Sequence, residues 1–144
     1  MGFLTNWSPQ LLSVLRIVAG LCFMEHGAMK ILHYPAAMPF PLSPLLMLAG
    51  YIELIAGSLI VLGLLTRIAA IIASGETAVA YFGFHVTNAL GLAPPTMKHS
   101  WDPQVNGGAE PALYAVIFLY IAAAGGGAWA VDSIFNRRRG LDPA

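Results

Sequence analysis

Four stretches of mainly apolar residues, 11–32, 45–65, 68–92 and 112–134, dominate this chain. Crossing the hydrocarbon core of a bilayer as a helix takes about 20 such residues. Backbone amides in lipid must find their partners within their own segment, so each stretch is predicted to be a transmembrane helix. Folding two of them as soluble helices would need polar sequence to cover a core. Only 10% of the 144 residues are charged, against about 25% in an ordinary soluble domain. The expected fold is therefore all-α: a polytopic membrane protein, one four-helix transmembrane bundle over 1–144. A soluble globular domain and a disordered chain are excluded. A nucleic-acid binder is excluded too, because seven basic and seven acidic residues cancel without a basic patch. Cys22 is the one cysteine, which removes an intramolecular disulfide, a CxxC redox pair and a thiolate zinc cage.

Breakers punctuate the chain where connections are needed. Pro35, Pro39, Pro41 and Pro44 keep 33–44 from being helical throughout. Pro94, Pro95, Pro103, Pro111 and the pair Gly107 and Gly108 mark 93–111 as a surface loop with room for a short interfacial turn. The link at 63–67 is so short that spans two and three must be antiparallel neighbours. Four crossings put both termini on one side, together with Arg67, Arg137, Arg138 and Arg139, while Lys30 and Lys98 lie toward the other. The positive-inside rule places that first side, and both termini, in the cytoplasm of a bacterial inner membrane. These arginines are read as topology signals. The leader 1–10 has no basic residue, so the first span is read as a span and not as a cleaved signal.

Charges inside spans are costly and point to pairing or function. Arg16 lies about 7 Å and Glu76 about 12 Å from the same face, counting about 1.5 Å per residue. They are expected to form a structural ion pair between spans one and three. Toward the other face, Glu25, His26 and Lys30 on span one, Glu53 on span two and His85 on span three share a depth. His26, Lys30 and Glu53 are the easiest of these to bring together. Three readings compete for the cluster. It is a satisfied network in which Lys30 neutralises Glu53 and fixes helix register. Or it is a quinone or small-substrate pocket, with histidine and carboxylate handling protons. Or His26 and His85 ligate a haem between two spans, a reading that no spaced ligand motif supports; no other metal site is indicated.

Secondary features are structural in expectation. Gly83, Thr87 and Gly91, and likewise Ala122, Gly126 and Ala130, recur at four-residue spacing, as close-packing helix faces do. Gly125, Gly126 and Gly127 in succession mark tight packing or a local kink. Asp132 is expected to pair with Arg137, Arg138 or Arg139, and Glu110 to suit the start of span four. His33 and His99 are expected to be solvated.

Span one reads Arg16-x3-Gly20-x2-Phe23-x3-Gly27-x2-Lys30, and span two with its turn reads Glu53-x3-Gly57-x5-Gly63-x3-Arg67. This pattern, over about 15–73, resembles the DoxX family of small four-helix bacterial membrane proteins. The second half is similar to the family only in layout. The resemblance implies the four-helix fold and a setting beside membrane redox complexes, since the family's namesakes are small subunits associated with terminal oxidases and thiosulfate:quinone oxidation. It implies that Arg16, Lys30, Glu53 and Arg67 are motif positions and that Gly20, Gly27, Gly57 and Gly63 are packing sites. Glu25, His26, Glu76 and His85, and the loop 98–110, are this chain's own.

The expected function is an accessory subunit of a membrane redox or respiratory complex, near a quinone site. It is expected to be a non-catalytic subunit, with the lipid bilayer and other membrane subunits or a second copy as partners. The alternatives are a non-enzymatic structural or assembly protein binding a membrane partner, and a small proton-coupled transporter using Glu53 or Glu76. Against the transporter stands the absence of an internal repeat.

Overall fold

The computed structural model describes residues 2–39 and 41–138, and every regular element among them is a helix. In chain order these are α1 (Gly2–Asn6), α2 (Ser8–Ile31), α3 (Pro44–Leu62), α4 (Thr66–Val79), which continues as a π-helical segment (Ala80–Val86), α5 (Pro103–Asn106), α6 (Ala109–Ala124) and α7 (Val131–Arg138). Local chemistry explains the boundaries. Pro9 and Pro44 sit in the first turns of α2 and α3, where the missing N–H costs nothing. Ser43 caps α3 by accepting from the Leu46 N–H at 3.3 Å. Gly63, at φ 70°, closes α3 in a Schellman motif: its N–H reaches Ile60 O and the Leu64 N–H reaches Leu59 O.

Three helices, Ser8–Ile31, Pro44–Leu62 and Thr66–Val86, are long and apolar enough to cross a membrane. The residue pattern across them is the reverse of a soluble protein's. Ser13, Arg16, Glu53, Thr66 and Thr77 are buried, while Val18, Ile55, Ile71 and Val79 are exposed. That arrangement suits a surface solvated by lipid.

The helices pack as two close pairs, α2 with α3 and α4 with α6. Small residues set the first pair. A Cβ on Gly27 would lie 2.5 Å from Leu54 N and one on Gly57 2.8 Å from Met24 Cβ, so the two backbones touch where those glycines stand. A core of Ala19, Phe23, Ala56 and Ile60 from the first pair meets Ala69, Ala70, Ala73, Phe118 and Ile121 from the second. Phe23 packs edge-on against Phe118 with ring centroids 5.0 Å apart.

Two spans differ from expectation. The third leaves the helix at Val86, not at 92. Its last turns are π-helical, with the Thr87 N–H reaching Phe82 O, and Asn88 and Gly91 then take positive φ. Gly83, Thr87 and Gly91 therefore do not share a helix face. The fourth apolar stretch ends at Ala124, giving a helix of 16 residues instead of a span to 134. Gly125 (φ 92°) and Gly127 (φ 76°) turn the chain, and Ala122, Gly126 and Ala130 likewise form no helical row. The turned segment crosses the start of α2: the Ala128 N–H reaches Pro9 O at 3.1 Å, and the Trp129 N–H reaches Ser13 Oγ at 3.1 Å.

Charged side chains tie this end together. Arg16, fully buried, donates to Ile60 O, to Val61 O at 2.6 Å and to Gly126 O at 2.7 Å. Arg67 donates to Ala122 O at 2.8 Å and Ala123 O at 2.6 Å. Asp132 accepts from Leu65 N, Thr66 N and Thr66 Oγ1 at 2.9, 2.8 and 2.7 Å. Cations thus sit on the C-terminal carbonyls of α3 and α6, and an anion sits on the N-terminal amides of α4, as the helix dipole favours. The expected Arg16–Glu76 pair is not formed, because helix-end carbonyls take up the guanidinium. Asp132 turns to the α4 amides; the arginines expected to pair with it have no described side chains. Arg67, expected as a topology signal, caps the C-terminal carbonyls of α6. Arg139 lies outside the described residues, as do the side chains of Arg137 and Arg138.

Candidate functional site

At the opposite end of the bundle, α3 and α4 stand apart and leave a cavity of about 600 Å³. Its walls come from α2, α3, α4, the π-helical segment and the start of α6. Leu48, Ile71 and Val79 line it and are 55%, 60% and 58% exposed. Its mouth therefore opens sideways, between α3 and α4, onto the apolar outer surface.

Helical spacing delivers the polar lining. On α2, Phe23, His26 and Lys30 fall on one face three and four residues apart, and all three line the cavity. The close approach at Gly27 presses α2 onto α3. Gly50 leaves room for the Lys30 stem, since a Cβ there would stand 2.8 Å from Lys30 Cβ. Lys30 Nζ then meets Glu53 Oε1 at 2.5 Å, with both side chains nearly buried. The other carboxylate oxygen, Glu53 Oε2, is buried and has no hydrogen-bond partner among the described residues.

His26 Nε2 lies 3.0 Å from Glu110 Oε1 at the first turn of α6. His85 reaches the cavity from the π-helical segment, and its Nδ1 lies 3.0 Å from the backbone oxygen of Asn106. A carbonyl only accepts, so Nδ1 carries the hydrogen, and Nε2 of the neutral ring is an acceptor. Asn106 is itself fixed: its side chain donates to Ser100 O at 2.7 Å and accepts from the Gly108 N–H at 2.6 Å. The π-helical segment thus sets where His85 sits, and such segments recur at functional sites. Glu76 also lines the cavity, its Oε2 buried without a hydrogen-bond partner among the described residues. Its charged neighbours are Glu53 and Lys30.

Of the five candidates from the sequence, His26, Lys30, Glu53 and His85 all face this cavity. Glu25 does not: it is exposed on the outer face of α2. Glu76 joins the cluster instead of bracing Arg16. Among the described residues no group of three or more His, Cys, Asp or Glu is placed to hold a metal ion. Of the two imidazoles named for a haem, His26 has its Nε2 on Glu110, and His85 has its Nδ1 on the Asn106 carbonyl. Sequence reasoning missed Glu110, Tyr114 and Phe84 as cavity residues. Glu110 lies 84 positions from His26, and no local spacing relates them.

What the arrangement can do follows from its chemistry. Apolar walls and a lateral mouth admit a lipid-soluble molecule from the bilayer. A few convergent polar groups at the inner end can orient its head. Fold and site together define a small helical membrane protein with a laterally open, polar-ended pocket. The chain belongs to the DoxX family, whose model matches residues 11–86. It is also 38% identical over 142 residues to a protein of Haemophilus influenzae described as uncharacterized, an alignment covering 96% of this chain and 100% of that one. No solved structure matches the chain.

Proposed function

We propose that this DoxX-family protein is an accessory subunit of a membrane redox complex that holds a quinone-class molecule in the cavity between α3 and α4. The observation that carries the reading is the pairing of an apolar cavity open to lipid with a buried Lys30–Glu53 pair at its polar end. Lys30 and Glu53 bind and orient the head group, and His26, His85 and Glu76 are the further proton-handling candidates. The chain contributes binding and proton management, and the electrons belong to the partner complex. In this reading the chain is one transmembrane domain of four helices. The short α6 completes the bundle, because the segment after Gly125 packs back across α2. Both termini and Arg67 face the cytoplasm of a bacterial inner membrane, as the basic residues favour.

A plugged pocket tests the reading. Gly75 lines the cavity, and an added Cβ there meets nothing within 4 Å. Gly75→Leu should fold, place a side chain across the cavity and abolish binding of a short-chain quinone to protein in lipid nanodiscs. Purification from native membranes in mild detergent should recover oxidase or dehydrogenase subunits in stoichiometric amounts. Recovery as a clean monomer or homo-oligomer, with no quinone binding that Gly75→Leu removes, would overturn the proposal.

A second reading is favoured by one observation. Glu25 is exposed, with no ion pair among the described residues, on a face it shares with Leu11, Val14, Val18 and Leu21. A partner helix carrying a hydrogen-bond donor would cover that stripe. In that case Glu25→Leu should weaken subunit recovery and leave pocket binding unchanged.

A further inference from the structure

The unanswered atoms in the cavity are not a random mixture of donors and acceptors. Glu53 is 5% exposed; Oε1 is engaged by Lys30, and Oε2 has no hydrogen-bond partner among the described residues. As the anion of the Lys30–Glu53 ion pair, Glu53 presents Oε2 as an acceptor only. His85 Nε2 is an acceptor by tautomer, because its Nδ1 hydrogen lies on the Asn106 carbonyl. Lys30 has three N–H groups, one of which is on Glu53 Oε1. The polar end of the pocket therefore offers a buried acceptor and ammonium N–H groups side by side.

Each type of head group answers that pair differently. A carbonyl accepts from Lys30 but leaves Glu53 Oε2 buried and unpaired. An ammonium donates to Glu53 but is repelled by Lys30. A neutral hydroxyl does both, donating its hydrogen to Glu53 Oε2 and accepting from Lys30 Nζ. His85 Nε2, in the lining of the same cavity, is a further acceptor when its ring is neutral. Leaving a buried acceptor unpaired is the costly side of such a comparison. Sites built to bond a hydroxyl reject the analogue that lacks it.

We infer that the pocket selects a neutral, hydroxyl-bearing ring, a phenol or hydroquinone, over the corresponding quinone and over a cationic amphiphile. The inference rests on the proposed pocket-binding role and adds the redox form that the pocket prefers. The ring and tail lie against Phe84, Leu48 and Ile72, and the tail leaves through the lateral mouth.

Equilibrium titration of the full chain in nanodiscs, under anaerobic conditions, tests it. The probes are a short-chain benzohydroquinone, the matching benzoquinone, the dimethyl ether of the hydroquinone, and an alkylammonium of similar size. The hydroquinone should bind about tenfold or more tighter than the quinone, a difference of about 1.4 kcal/mol, and the ether and the ammonium should bind more weakly still. Glu53→Gln places an amide N–H beside the head group and should bring the two redox forms to within about twofold. The ligand series on the unaltered protein decides the matter even if that variant fails to fold. Equal or tighter binding of the quinone or the ammonium, still abolished by Gly75→Leu, overturns the selectivity while the pocket reading stands. Absence of Gly75→Leu-sensitive binding by all four probes overturns the pocket reading and the inference with it.

Discussion

Where 63–66 turns α3 back into α4, Arg16, Arg67 and Asp132 lie on the ends of helices, and each makes two or more hydrogen bonds to them. At the other end Lys30, Glu53, His26 and Glu110 pair side chain to side chain, and Oε2 of Glu53 and of Glu76 are buried with no hydrogen-bond partner among the described residues. Both ends bury charge among apolar helices, yet they handle it differently. Backbone carbonyls and amides at a helix terminus are fixed by the helix itself, so a charge placed on them is fully answered and locks the joint. Side-chain pairs answer one atom of each partner and leave the rest buried beside a cavity. The first arrangement suits a clamp, and the second suits a binding site.

This contrast can be broken experimentally, and the largest effect is expected at the clamp. Arg16→Leu leaves the carbonyls of Ile60, Val61 and Gly126 without their cation, a loss on the order of 3 kcal/mol. Thermal or SDS-titrated unfolding in detergent should show it, and an unfolding midpoint equal to wild type would end the clamp description. A smaller but diagnostic effect is expected at the pocket. Lys30→Met alone strands the buried Glu53 carboxylate; loss of one partner costs about 3–5 kcal/mol in a dry interior, and less here because the adjoining cavity can admit water. Lys30→Met combined with Glu53→Leu should recover most of that loss while abolishing head-group binding. A double variant as unstable as the single would mean that the pair holds the fold as the clamp does.

Next in size, Asp132→Ala removes the cap from α4 and should cost about 1 kcal/mol. Hydrogen exchange should localise the loosening to the first turn of α4 and spare the pocket. The smallest effect belongs to Gly75→Ala. It adds a methyl group to open space on a helix and should raise stability by a few tenths of a kcal/mol, up to about 1. A measurable drop would show that the α3–α4 opening is narrower than described.

Much of this was legible in the residues. Apolar runs of spanning length located α2, α3 and the helix from α4 into the π-helical segment to within a few positions at most ends. Depth counting put His26, Lys30, Glu53 and His85 at one level, because the helical rise is constant along a straight helix. The errors have a common cause. Depth does not specify azimuth, so a count of depth groups Glu25 with its neighbour His26 although Glu25 faces outward. Charge invites charge in lipid, and on the sequence alone that pairs Arg16 with Glu76. The competing partners, helix-terminal carbonyls, carry no mark in a sequence. The run of three glycines permitted either a packed helix or a kink. The kink won once Arg16 and Arg67 could hold the carbonyls on either side of it.

The sequence by itself determined that this chain enters a membrane as helices, where most of those helices begin and which charges share a depth. These are properties of hydropathy and helical rise, both local along the chain. The tertiary structure alone decided that α3 and α4 part to form a lateral pocket, that Glu110 arrives beside His26, and that Glu53 keeps one oxygen unpaired within it. Those outcomes depend on which helix faces meet, and faces are chosen by packing between segments distant in the chain.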